Sequence, residues 1–257
     1  MKDFLVYFLG EGKEVEFTNF GFSHFAPILV AVAIIFLIFK FRDKISASKH
    51  EKIFRYALAF TMIICDMSYY WRLVALPSLG PNPATHLPIT VCGWAIIFGS
   101  FMLIGKSQTL FDIVYFWVFA GTIFAVATPT VISYTGPTRF RYYQFWVEHL
   151  AGYIAIFYMI FVHKFRPKIF SLIKSYISFA ILAIVAFITN NYIVEGANYL
   201  FMAKPESTPS ILDILPPNFF LRILIMASAV TLLFFLAYLP WYLMDRKSKQ
   251  LKNIKMH

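Results

Sequence analysis

Seven long apolar runs follow one another along the chain, and shorter stretches rich in charged residues, proline, glycine or asparagine separate them. A helix needs about 20 mostly apolar residues to cross about 30 Å of hydrocarbon, and each run has about that length. The pattern therefore predicts an all-α bundle of seven transmembrane helices. We expect these helices at residues 23–41, 53–74, 84–105, 109–128, 144–163, 175–196 and 219–244.

The composition is also that of a membrane protein. Of the 257 residues, 60% are hydrophobic and 14% are charged, with a mean hydropathy of +0.68, whereas soluble domains average about 45–50% apolar and about 25% charged residues. The net charge of +10 is concentrated in alternate loops, as membrane orientation requires, so we expect no nucleic-acid partner. The expected location is a bacterial-type plasma membrane, which the chain crosses several times.

The distribution of lysine and arginine predicts the orientation of the bundle. Most of these residues fall beside the loops that follow the first, third and fifth helices, and in the C-terminal tail. Basic loops stay in the cytoplasm, so we expect the N-terminus outside and the C-terminus in the cytoplasm. The chain then divides into an external N-terminal segment (1–22), a seven-helix transmembrane domain (23–244) and a basic cytoplasmic tail (245–257).

Polar side chains within the predicted helices occur at one depth, roughly 5 to 12 Å inside the external interface if each residue rises about 1.5 Å. Ionisable groups are costly in lipid and normally face a cavity or the bundle interior, where they mark functional sites. The cytoplasmic halves of the same helices contain almost nothing ionisable, so the pattern predicts a polar cavity open to the external leaflet. Its residues are Asp66, Cys92, Glu148, His149, Asn190, Asn191 and Glu195.

This set contains the parts of a thiol-based acyl-transfer site. A thiol becomes a nucleophile when an imidazole takes its proton and a third group holds that imidazole. Cys92 and His149 are the predicted catalytic pair, and Asp66 or Glu148 is the predicted third group. A thiolate at the level of the acyl chains is placed to attack a lipid ester, so the expected partner is a membrane phospholipid or another acyl lipid. The candidate oxyanion donors are Asn190, Asn191 and Asn198.

Further residues are expected at the mouth of the cavity, where they would meet a lipid head group. His86 is six residues before Cys92, which places the two on different faces of a regular helix, so His149 is the preferred base. The cysteines lack the spacing of a zinc site, and neither a metal nor a cofactor is expected. The mouth residues are His86, Arg72 and Lys204.

The same residues also allow structural interpretations. A single cysteine such as Cys92 is more often a small buried hydrophobic residue. Asp66 could pair with Arg72 or Arg222 and hold helices together, and the two adjacent asparagines could hydrogen-bond between helices. The common depth of these residues is what favours a functional site.

Several motifs resemble a known family. LPITVC in the third predicted helix, ATP at 127–129, QFWVEHLAGY around His149 and NYLFMAKPESTPSILDILPP at 198–217 are similar to the YwaF-like integral membrane proteins of bacteria, which are related to mammalian ether-phospholipid acyltransferases of the transmembrane protein 164 type. The resemblance covers most of the chain and implies that Cys92 is the catalytic cysteine and His149 the intramembrane histidine. Many bacterial members carry a histidine two residues before the cysteine, where this chain has Thr90.

We therefore expect an intramembrane lipid acyltransferase or acyl hydrolase that uses a cysteine nucleophile in a cavity open to the external leaflet. The alternative from a different class is a non-catalytic transporter or binding protein for a small solute or lipid head group, and a third interpretation is a structural or partner-binding membrane protein. Discontinuous helices are typical of transporters, whereas helix halves without ionisable groups favour a site that opens to one side.

Overall fold

The computed structural model describes residues 2–10, 17–129, 135–202 and 211–255, and every regular element in these ranges is helical. This confirms the predicted all-α class. Two π-helical turns, Val118–Thr122 and Thr189–Ile193, follow α6 and α9, and short 3₁₀ turns occur in the loops. The α-helices are α1 (Lys2–Leu9), α2 (Phe22–Ala47), α3 (Glu51–Ala75), α4 (Pro83–His86), α5 (Val91–Gly105), α6 (Gln108–Trp117), α7 (Ile123–Ala127), α8 (Phe140–His163), α9 (Ile169–Ile188) and α10 (Phe219–Lys255).

Five helical stretches in the described ranges are long and apolar enough to cross a membrane, which supports an integral membrane protein. Two of the seven predicted spans do not meet the same criteria: α3 has 25 residues but several charges, and α5 has only 15 residues, a rise of about 22 Å. The five stretches are Phe22–Ala47, Gln108–Ala127, Phe140–His163, Ile169–Ile193 and Phe219–Ser248.

The third predicted span is interrupted, so the expectation of one continuous helix over 84–105 was wrong. Asn82 caps the short α4, and Leu87, which follows it, is extended because Pro88 disfavours the helical conformation in the residue before it. The backbone remains extended at Thr90, whose Oγ1 accepts a hydrogen bond from the N–H of Gly93 at 3.1 Å and caps α5. We refer to residues 83–90 as the helix break.

Helices α3, α5, α6 and α8 pack against one another and form the centre of the bundle. Their facing sides bury large apolar side chains such as Ile96, Phe111, Phe116 and Met159. Helices α2 and α10 are mostly exposed, as expected for helices whose apolar side chains face lipid. The short α5 packs against α3, α6 and α8.

A π-helical turn shapes the space around the start of α5. The turn Val118–Thr122 contains Gly121, and a Cβ atom at that position would lie 2.6 Å from Cγ1 of Val91. Only glycine allows the first turn of α5 to approach this closely. Single π turns within α-helices occur often at functional sites.

One end of the bundle, which we call the basic face, is closed by buried ion pairs. Glu51 accepts hydrogen bonds from Arg55 at 2.8 Å, Tyr158 at 3.1 Å and the Nε2 of His163 at 2.7 Å. Arg55 also donates to the carbonyl oxygens of Leu103 and Ile104 at the end of α5. These charges lie at the helix ends, and Glu51 precedes the predicted span 53–74.

The opposite end, the loop face, holds the N-terminal helix against the bundle. Arg72 of α3 donates to the carbonyl oxygens of Leu9 and Gly10, and Arg139 donates to that of Tyr7. Cations are favourable at the C-terminus of a helix, and α1 ends at Leu9. The loop face also contains the helix break and the segment after α9, which contact each other.

Candidate functional site

The start of α5 places Cys92 in the first turn of a helix whose cap, Thr90, is exposed and whose first residues are half-buried. Thr90 caps this helix, and Cys92 is half-buried at its second position. The first N–H groups of a helix lack partners within the helix, and this end carries a partial positive charge that favours anions. The first turn of α5 therefore offers backbone N–H groups to an anion formed at Cys92.

Asp66 of α3 lies beside this first turn. A Cβ atom on Gly93 would be 3.4 Å from Oδ1 of Asp66 and 3.0 Å from Oγ1 of Thr90, so Gly93 leaves room for both side chains. Asp66 is 5% exposed, and within the described part of the chain its carboxyl makes neither a hydrogen bond nor an ion pair. The pairing with Arg72 or Arg222 that the sequence allowed is not formed, since Arg222 donates instead to the carbonyl oxygens of Phe201, Leu215 and Pro216.

Glu148 of α8 faces the same space and is held by its own helix. Its Oε2 accepts a hydrogen bond from Nε2 of Gln144 at 2.7 Å and lies 3.6 Å from Nη1 of Arg141. Asp66, Cys92 and Glu148 thus lie on three helices, α3, α5 and α8, that pack against one another.

His149 is buried on α8, next to Glu148. Its Nδ1 is 2.8 Å from the carbonyl oxygen of Phe145, and its ring stacks on the Phe145 ring at 4.1 Å between centroids. A carbonyl oxygen can only accept, so Nδ1 carries the hydrogen and Nε2 of the neutral ring is left with a lone pair. The group that orients this imidazole is thus a backbone carbonyl, whereas the sequence predicted Asp66 or Glu148.

The predicted catalytic pair lies on two helices that pack together, α5 and α8. No hydrogen bond joins Cys92 to His149 among the residues that the structure describes. Glu148 is the residue before His149 on α8. Hydrogen bonds of catalytic groups are often long before substrate binds.

Sequence reasoning missed the polar side chains that support Glu148. Arg141, Gln144 and Glu148 are spaced three and four residues apart, so they share one face of α8. Arg141 donates to Oε1 of Gln144 and lies over the Tyr69 ring at 4.7 Å, and Gln144 also contacts the backbone of Cys65. The spacing was available as a signal, but the predicted helix began at 144 and left Arg141 in a loop.

The residues predicted after α9 are placed differently from one another. Asn190 uses its amide on the backbone of Tyr199, Asn191 donates to the carbonyl oxygen of Phe187 at 2.7 Å, and Glu195 is exposed beyond the end of the helix. Asn198 is half-buried in the following turn. Because both neighbouring amides are engaged, neither Asn190 nor Asn191 enters the mechanism proposed below.

Two of the three predicted mouth residues, His86 and Arg72, lie on the loop face. His86 accepts a hydrogen bond from the N–H of Asn82 at 2.9 Å and packs near the Tyr69 ring at 6.1 Å. Arg72 is buried and holds α1, so its role as a head-group ligand stays a prediction. Lys204 lies outside the described residues. In the described ranges, no three His, Cys, Asp or Glu side chains are arranged to hold a metal ion.

Comparisons with known proteins identify relatives over most of the chain. The model of the TMEM164 family matches residues 19–238. An uncharacterized protein of Treponema pallidum (strain Nichols) is 28% identical over 228 residues, which cover 88% of this chain and 90% of that protein. No solved structure matches the chain.

Proposed function

The chain belongs to the TMEM164 family, and we propose that it is an intramembrane lipid acyltransferase or acyl hydrolase whose nucleophile is the thiol of Cys92. The observation that carries this proposal is the capped start of α5, which holds Cys92 and where the buried carboxyl of Asp66 lies beside Gly93, with His149 on the neighbouring α8. Polar groups are costly to bury in a membrane bundle, and these three supply a nucleophile, an acid and a base.

We further propose that all seven predicted helices cross the membrane, with the loop face outside and the C-terminus in the cytoplasm. The terminal charges of α3 are paired within the protein, and Asp66 lies in the site. The helix break and α5 together cross the membrane as one discontinuous helix. Membranes tolerate such a helix where its irregular backbone is buried in protein or lines a cavity. Acyl lipid then enters from the external leaflet.

In the first half-reaction, Nε2 of His149 takes the thiol proton and the sulfur of Cys92 attacks the ester carbonyl carbon of an acyl lipid. The carbonyl electron pair moves to the oxygen, which the free N–H groups at the start of α5 stabilise. When the ester C–O bond breaks, the leaving lysolipid oxygen takes a proton from the imidazolium or from the acid form of Asp66. The products are a thioester on Cys92 and a lysolipid.

In the second half-reaction, the hydroxyl of an acceptor lipid or a water molecule attacks the thioester carbon. The attacking oxygen gives its proton to the base, the C–S bond breaks, and the sulfur of Cys92 recovers a proton. A lipid acceptor makes the protein a transferase, and water makes it a hydrolase. Asp66 is better placed than Glu148 to exchange protons, because Gln144 and Arg141 already engage Glu148.

The test is the intact mass of the purified protein after incubation with phospholipid, before and after neutral hydroxylamine. We expect a hydroxylamine-labile acyl adduct on the wild-type protein and on Cys65→Ala, and none on Cys92→Ala, because Cys65 is the other thiol of the chain and lies outside the first turn of α5. An adduct that survives in Cys92→Ala, or unchanged protein mass and lipid composition after long incubation, would contradict the proposal.

The helix break also favours a second candidate function, a binding protein or transporter for a small solute or a lipid head group. Discontinuous helices in membrane proteins commonly form such sites. In that case the protein would retain a lipid or solute through purification without a covalent adduct, and Cys92→Ala would leave the retained amount unchanged.

A further inference from the structure

The helix break leaves backbone groups without partners inside a helix. In a membrane such groups have to be satisfied by the protein. Two of these backbone groups find partners nearby. The N–H of Ile89 donates to the carbonyl oxygen of Leu87 at 2.8 Å. The indole N–H of Trp94 donates to the carbonyl oxygen of Pro88 at 2.8 Å. Both of these partners belong to the same stretch of chain, so neither fixes the break relative to the rest of the bundle.

The hydroxyl of Tyr199 makes the connection to another element. It accepts a hydrogen bond from the N–H of Leu87 at 2.8 Å and donates to the carbonyl oxygen of Pro83, so it bridges both ends of the turn that leaves α4. Among the described residues, no other side chain from outside 82–105 hydrogen-bonds to the helix break. Tyr199 is buried, and both of these hydrogen bonds are partly buried.

Tyr199 is itself fixed from α9. Asn190 accepts a hydrogen bond from the N–H of Tyr199 at 2.8 Å and donates to its carbonyl oxygen at 3.0 Å, so one amide holds both backbone groups of the tyrosine. The next two residues, Leu200 and Phe201, have φ of 57° and 54°. This left-handed conformation is disfavoured for residues with a side chain and persists where the surrounding contacts determine it.

We propose that Asn190 and Tyr199 form a latch that holds the helix break and thereby positions Cys92. The path is short: Asn190 fixes Tyr199, Tyr199 fixes Leu87 and Pro83, and α5 begins at Val91 with Cys92 in its first turn. These two residues are positioning residues for the acyl transfer proposed above, and their role in catalysis rests on that proposal. Their effect on the location of the Cys92 thiol does not depend on that proposal.

The experiment measures the ratio of the alkylation rates of the two cysteines of the chain, Cys92 and Cys65. In the full-length protein in nanodiscs, the rates at which a maleimide alkylates Cys92 and Cys65 are measured by peptide mass spectrometry. Cys65 lies on α3 and contacts Gln144 of α8, so it reports general loosening of the bundle. Tyr199→Phe removes only the hydroxyl, and Asn190→Ala removes the amide. Tyr192→Phe is the matched control, since Tyr192 is 78% exposed and belongs to the same segment.

We expect Tyr199→Phe and Asn190→Ala to change the Cys92 to Cys65 ratio about threefold to tenfold, the size that follows from losing one or two hydrogen bonds, while Tyr192→Phe leaves it unchanged. The double variant should change the ratio no more than Asn190→Ala alone, because the two residues act in series. For acyl transfer, Tyr199→Phe should lower kcat with KM unchanged.

A Cys92 to Cys65 ratio that stays at the wild-type value in Tyr199→Phe would overturn the latch, as would equal changes in the rates of both cysteines. A changed ratio in a protein that forms no thioester would support the latch and refute acyl transfer through Cys92. The experiment can therefore refute the latch without refuting acyl transfer, and the reverse.

Discussion

Cys92 lies at the N-terminus of α5, an end that favours negative charge on the sulfur. Glu148 on the neighbouring α8 is held by Gln144 and Arg141 of its own helix. In the proposed acyl transfer, the first turn of α5 therefore supplies the nucleophile, and the polar side chains of α8 are fixed beside one another.

Thr90 shows how this chain forms the start of α5 without the histidine that many bacterial relatives are expected to carry there. Its hydroxyl accepts from the N–H of Gly93, and threonine is among the residues that cap helices well. The position therefore contributes to where α5 begins, and the acyl transfer proposed above takes its base from another helix. His149 is the imidazole on a neighbouring helix of the site.

Gly121 is the residue whose size limits the approach of α5. A Cβ atom there would lie 2.6 Å and 3.3 Å from the Cγ1 and Cβ of Val91, so Gly121→Ala should shift the first turn of α5 and lower the free energy of unfolding by about 1–3 kcal/mol. The measurement is thermal or denaturant unfolding in detergent. Gly105→Ala is the control, because no atom lies within 4 Å of its added Cβ. Equal stability of the two variants would contradict this close packing.

At the level of elements, the functional features lie where the helices deviate from regular geometry. The helix break brings the N-terminus of α5 into the bundle, and the π turn at Val118–Thr122 makes room for it. Average hydropathy does not reveal such deviations, because a broken helix and a continuous one bury similar residues. The sequence contained local signals for the break in the cap residues Asn82 and Thr90 and in Pro88. These signals did not predict the positions at which α4 ends and α5 begins.

The ion pairs of the basic face fix the far end of the same helix. Arg55 is buried, pairs with Glu51 and donates to two carbonyl oxygens at the end of α5. Arg55→Met would leave a buried carboxylate without its main cation, so we expect it to lower the free energy of unfolding by about 3–5 kcal/mol. The measurement is unfolding of the purified protein in detergent.

The matched control for Arg55→Met is Arg42→Met. Arg42 lies 3.8 Å from Asp43 in an ion pair exposed at the end of α2, and such pairs contribute about 0–1 kcal/mol. A loss for Arg55→Met as small as that for Arg42→Met would show that the network at Glu51 does not hold the helix ends together.

For the molecule as a whole, the sequence was sufficient to predict the helical class and the approximate position of most helices. Asp66, Cys92 and Glu148 lie on helices that pack against one another, and their common site stays a prediction. Side-chain partners could not be predicted in the same way. The amide of Asn190 was expected to meet substrate but binds Tyr199, since the path of the loop after α9 depends on contacts between distant segments.

The orientation of the bundle decides which leaflet supplies the lipid. Ser78 lies on the loop face and Ser248 near the basic end of α10, and both are exposed. In a background without Cys65 and Cys92, we expect a membrane-impermeant maleimide to label Ser78→Cys on intact cells, and Ser248→Cys only after permeabilisation. This follows because the basic face belongs in the cytoplasm. The opposite labelling pattern would place the start of α5 toward the cytoplasmic leaflet, so the acyl donor and acceptor would have to come from that side.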